Sequence, residues 1–132
     1  MKVPVNIARA RRTERRFLKL GSPQPVCVLC GESDPACLDA VQGHHPTGRQ
    51  RDPDLKVIVC ANDQRKQHAR LADEGLTMER EADPREVERS RFLLIAQFLD
   101  SLAEAHRERN QFKMANRVER LADEYCREAN KM

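Results

Sequence analysis

The sequence predicts an α+β fold, in which a small finger of two short strands and a helix precedes a C-terminal two-helix hairpin, and three observations carry that prediction. Cys27 and Cys30 form a Cys-x-x-Cys pair followed at once by Gly31, whose freedom at positive φ suits a tight knuckle. Leu55-Lys56-Val57-Ile58-Val59 is rich in β-branched residues and ends on Cys60, as a strand feeding into the finger would. Beyond Asp83 the apolar residues switch to helical spacing, first Val87, Leu94, Phe98, Leu102 and Ala105, then Phe112, Ala115, Val118, Leu121, Ala122, Tyr125 and Ala129.

Taken in order, residues 1–25 read as a basic arm, residues 26–76 as the finger and residues 83–132 as the helical hairpin. The arm has the apolar points of a short helix and stops at Gly21-Ser22-Pro23-Gln24-Pro25, because two prolines so close together break any helix. Within the finger, Leu38 to Gln42 is the first strand candidate, and Gly43 to Asp54 is a polar loop containing His44 and His45. Ala61 to Asp73 is helix-permissive and meets a glycine, Gly75, where a C-terminal cap is expected. Asp83-Pro84-Arg85-Glu86 is a strong helix start: Asp can cap, Pro suits the first turn and Glu86 falls at the third position. His106 to Gln111 is wholly polar, and the chain is expected to fold back near Asn110. The two stripes are expected to pack on the finger or to form a homodimer.

Composition narrows the class of protein. With 132 residues, 39% hydrophobic and only 4% aromatic, the chain can build only a modest core, so a metal staple is plausible from the outset. Charged residues make up 34%, and no apolar run approaches the roughly 20 residues of a membrane helix. No secretory signal is legible at the N-terminus, so a cytoplasmic location is expected. In that reducing setting the five cysteines favour metal binding over disulfides, with Cys37 and Cys126 expected as plain buried thiols. Net charge is +3, yet residues 1–20 carry seven Lys or Arg against one Glu. Arg11, Arg12, Arg15 and Arg16 are therefore candidate phosphate contacts.

The side chains that carry chemistry are Cys27, Cys30, Cys60 and Asp63, with His44, His45, Gln64 and His68 around them. Two residues between ligands let both side chains of a knuckle reach one tetrahedral zinc ion, and a second pair at the same spacing supplies the other corners. Here the second pair is Cys60 and Asp63. Asp is the harder donor and should hold zinc less tightly than a fourth thiolate would.

Cys-x-x-Cys-Gly, then His-His in a loop with Gly-Arg and Asp-Pro, then a strand running into Cys-x-x-Asp-Gln-x3-His, resembles the HNH endonuclease family over roughly residues 26–72. The resemblance implies a zinc-bound ββα finger and a metal-dependent endonuclease that hydrolyses phosphodiester bonds in DNA, with double-stranded DNA as the expected partner. It implies that His45 is the general base, that His44, Gln64 and His68 hold a catalytic Mg²⁺ or another divalent ion, and that Asp54 occupies the position of the family's central Asn. Two positions depart from the pattern: Asp63 replaces a zinc-binding Cys, and Gln64 replaces a His or Asn. The Gln carbonyl can coordinate Mg²⁺, but its extra methylene displaces the donor atom. His68 is open to another role, as fourth zinc ligand in place of Asp63. Arg49 and Arg51 would lie near the scissile phosphate. The alternative is a catalytically inactive zinc finger that binds nucleic acid or serves as a scaffold, using its C-terminal helices for self-association.

Overall fold

The computed structural model describes Ile7, Arg11, Arg12, Glu14, Arg15, Leu18 and residues 24–34, 36–38, 44–48, 52–76 and 83–132. Among these the expected α+β fold with its ββα finger is not found: the structure is 63% helix and 4% strand, with no sheet. β pairing is confined to two isolated antiparallel bridges, Leu38 with Cys60 and His44 with Val57. Register explains why they do not merge. Continuing the His44–Val57 register would set Cys60 opposite residue 41, but it faces Leu38 instead, so the two bridges do not belong to one ladder. The chain also leaves the extended conformation directly after His44, in a turn closed by Gly48 N–H donating to the His45 carbonyl at 3.0 Å. Most of the expected first strand lies outside the described residues.

Three helices dominate. Helix α1, Ala61–Asp73, is capped by Cys60, whose sulfur accepts from the Asp63 N–H at 3.3 Å. It ends in a Schellman motif: Leu76 N–H donates to the Leu71 carbonyl and Gly75 N–H to that of Ala72. That geometry needs a left-handed residue after the cap, and Gly75 supplies it at φ +70. Helix α2, Pro84–Glu108, starts where Asp83 accepts from the Arg85 N–H at 2.9 Å and Pro84 takes the first helical position. It closes with the same motif, Asn110 standing in for glycine at φ 60. The chain then reverses into helix α3, Phe112–Asn130.

Helix α3 packs on α2 through Ala115, Ala122 and Ala129, one per heptad, each no more than 1% exposed. Small side chains on this line let the two backbones approach closely. The broader apolar stripe expected on α3 is thereby divided, because Phe112 and Leu121 face solvent. Phe98 of α2 reaches across to the knuckle and completes a core with Cys27, Leu29, Leu38, Val59 and Cys60. The N-terminal segment and the hairpin therefore share one core.

A polar ring also joins α1 to α2. Ser101 Oγ donates to Gln67 Oε1 at 2.8 Å, Gln67 Nε2 donates to Gln97 Oε1, and Gln97 Nε2 donates back to Ser101 Oγ at 3.3 Å. Gln67 and Gln97 are 4% and 3% exposed, so neither amide can turn to water instead. Gln97→Ala removes the acceptor of a buried donor, which costs about 1–3 kcal/mol. Urea unfolding of the variant should show that loss; a midpoint unchanged from the parent would mean that the ring is replaceable.

Candidate metal centre

Cys27 and Cys30 are presented by a turn in which Gly31 N–H donates to the Cys27 carbonyl at 2.9 Å, with Gly31 itself at φ +80. Val28 N–H donates to the Ile58 carbonyl at 2.9 Å, docking the knuckle against the segment that delivers Cys60. Asp63 lies one helical turn beyond Cys60 on α1. The result is that the four donor atoms of Cys27, Cys30, Cys60 and Asp63 lie within 4.8 Å of one another and form a group able to hold a metal ion. It is the one such cluster of His, Cys, Asp and Glu among the described residues.

The donor set fits a tetrahedral ion. With Zn–S bonds of about 2.3 Å, the sulfur–sulfur edge of a tetrahedron is about 3.8 Å; Cys30 Sγ and Cys60 Sγ are 3.7 Å apart. The Asp63 Oδ2 edges are tighter, 3.2 Å from Cys27 Sγ and 3.1 Å from Cys60 Sγ, distances at which each thiol donates to the carboxylate. Burial, then the Asp63 contact, pushes the Cys30 thiol up to about 12. Burial likewise raises Cys60. Burial also works to raise Asp63, but hydrogen bonds from Cys30, Cys60 and Cys27 outweigh it and leave the carboxyl below its usual value. Occupation by a cation displaces these protons and ionises the thiols.

A second group of polar side chains lies beside this centre. His44 is 1% exposed; its N–H and carbonyl both pair with Val57, at 2.9 and 2.8 Å, which fixes its backbone. Its ring stacks on Phe98, centroids 5.4 Å apart and planes 26° apart. The same ring lies 5.8 Å from that of His68, an exposed residue of α1. Gln64 precedes His68 by one helical turn and so shares its face of α1. Its Oε1 is buried with no hydrogen-bond partner among the described residues. A buried carbonyl oxygen is normally satisfied, and one left open on the helix face of His68 is a donor atom suited to a cation.

The other expected positions are less gathered. His45 is half-buried in the turn after His44, and Asp54 is exposed in a later turn of the same loop. Asp52, to which the motif gives no role, anchors that loop: it accepts from Thr47 Oγ1 at 2.6 Å and pairs with Arg91 of α2 at 3.2 Å. In the sequence the only signal for this contact is a Thr and an Asp five residues apart in a polar loop. Arg11, Arg12 and Arg15 are exposed on helical backbone, with Arg15 Nε donating to the Arg11 carbonyl at 3.4 Å. Arg16, Arg49 and Arg51 lie outside the described residues. Cys37 is exposed and Cys126 half-buried, so neither is the buried thiol expected. Among the described residues no helix is long and apolar enough to cross a membrane.

In comparisons with family models, with characterised proteins and with solved structures, nothing matches the chain.

Proposed function

We propose that the protein is a small HNH-like endonuclease: zinc at Cys27, Cys30, Cys60 and Asp63 fixes the frame, and a second divalent ion at His44, Gln64 and His68 serves phosphodiester hydrolysis in DNA. The observation that carries this reading is the Oε1 of Gln64, buried and without a hydrogen-bond partner among the described residues, on the same helical face as His68, whose ring lies 5.8 Å from that of His44. Three sulfurs and one carboxylate suit zinc, a borderline-soft ion that accepts tetrahedral coordination. One carbonyl oxygen and two imidazoles suit a harder or borderline divalent ion with open positions for water and phosphate.

The second ion, when bound, supplies positive charge against the phosphate. His45, next in the chain and half-buried, is the general base that takes a proton from the attacking water. The Asp52–Arg91 and Thr47–Asp52 contacts hold the loop that carries it. Arg11, Arg12 and Arg15 supply exposed positive charge for the DNA backbone.

A second reading has an observation of its own. His44 is 1% exposed with one face covered by Phe98, a placement that also suits a packed, non-catalytic histidine in a protein that binds DNA without cutting it. Nicking of supercoiled plasmid with Mg²⁺, Mn²⁺ or Ni²⁺ separates the two. Cleavage by the parent should fall by about 10²–10⁴-fold in His45→Ala, with bound zinc unchanged. Equal cleavage by both proteins removes His45 as the base. A parent that binds the plasmid and nicks it with none of these ions favours the second reading.

A further inference from the structure

The inner face of α3 is consumed by α2, through the line of Ala115, Ala122 and Ala129. The residues that precede these alanines and fall between them form a second line. Met114, Val118, Leu121 and Tyr125 follow one another at alternating steps of four and three, the spacing of a coiled-coil seam. The alanine line is narrow and filled. The second line carries larger side chains that stay partly open to solvent: Met114 is 47% and Leu121 43% exposed, Val118 is half-buried, and Tyr125 is half-buried with its ring 5.5 Å from that of Phe92 on α2.

We propose that this outer seam is a self-association surface, on which α3 of a second copy of the chain docks antiparallel. Charge decides both the partner and the direction. The positions flanking the seam on the side away from α2 are Arg117 and Glu124, both exposed and neither in an ion pair among the described residues. In the antiparallel register that sets Val118 against Leu121 of the second copy, and Met114 against its Tyr125, Arg117 meets Glu124 of the second copy. The two-fold axis repeats that pair on the other side. A parallel arrangement sets Arg117 against the position of Ala122, which is buried against α2 and offers no charge. The seam is therefore complementary to itself in one direction only.

The end of the seam adds to the match. Phe112, Lys113, Met114 and Arg117 line an open groove of about 500 Å³ at the α2–α3 turn. The antiparallel register brings Glu128 of the second copy toward this groove and its two cations. Flanking charges of this kind set the pairing and orientation of helices more than the strength of the contact, which the apolar seam supplies.

Sedimentation of the full chain over a range of concentrations tests the proposal. The parent is expected to dimerise at micromolar concentration. Glu124→Arg should weaken the dimer by at least about tenfold, by opposing like charges on both sides of the axis. The double variant Arg117→Glu/Glu124→Arg should restore it to within about threefold of the parent. Leu121→Glu should leave a monomer of unchanged helicity, because that side chain is not part of the core of one chain. A parent that stays monomeric throughout overturns the proposal, as does a dimer whose affinity is indifferent to Glu124→Arg.

Discussion

Replacing Cys60 with Ser is expected to abolish metal binding and to unfold residues 26–76 while the α2–α3 hairpin keeps its helicity. Cys60 has three jobs: its sulfur is one of the four donors able to hold a metal ion, it caps α1, and it is 6% exposed within the shared core. Serine keeps the cap, because a hydroxyl accepts from the first-turn N–H as well as a thiol does, and it keeps nearly the same volume. What it removes is the thiolate. Structural zinc contributes on the order of 10–16 kcal/mol in small metal-folded peptides at neutral pH, so loss of one ligand exceeds what a modest core can offset. Zinc content per chain and far-UV circular dichroism provide the measurement; a variant that keeps both bound zinc and the parent melting profile would show that Cys60 is no ligand. Asp63→Cys should act in the opposite sense and tighten zinc binding.

The metal-free protein should also respond to pH with a definite sign. Cys30, although exposed at the surface, is raised from 9.0 to about 12 by local desolvation and then by its contact with Asp63, so its thiol form is the one the apo fold favours. Its contribution is complete below 9.0 and is lost as pH rises toward 12. Asp63 is lowered, so its contribution holds above its unfolded value and is lost as pH falls through the folded one. The metal-loaded protein reverses the alkaline limb, because its ligands are already ionised, and becomes the more acid-sensitive form. Thermal melts with and without chelator across the alkaline range would show the difference.

Phe98→Ala is expected to destabilise the fold by about 3–5 kcal/mol, the range for deleting a buried aromatic ring. Phe98 is 7% exposed and is the side chain by which α2 enters the core around Cys27, Val59 and Cys60. Removing it also uncovers the face of His44, which the ring now stacks against. Guanidinium unfolding should report the lost stability, and chemical modification of histidine should report faster reaction at His44. A loss below about 1 kcal/mol would mean that the two parts of the chain are held together by other contacts, chiefly the Gln67–Gln97–Ser101 ring. The Arg70–Glu104 pair is no strong alternative, since its side chains are 32% and 58% exposed and such pairs contribute little.

What the sequence determined by itself is the set of features whose physics is local. Asp83-Pro84 starts α2 and Gly75 follows the end of α1 because caps depend on residues within one turn of each other. The four-residue metal cluster was legible for a related reason: a short spacing lets each pair reach one ion, and only the meeting of the two pairs had to be supplied by the fold. Strand pairing was not legible. The β-branched run 55–59 has the composition of a strand, but a ladder also needs a partner in register, and the chain supplies two bridges out of step. The division of α3 was hidden as well, because Ala122 and Leu121 both sit at helical spacing. Only packing on α2 decided that the alanines turn inward and the larger side chains outward. Local rules act through neighbouring backbone atoms; register and facing depend on contacts between residues far apart in the chain, and those exist only once it has folded.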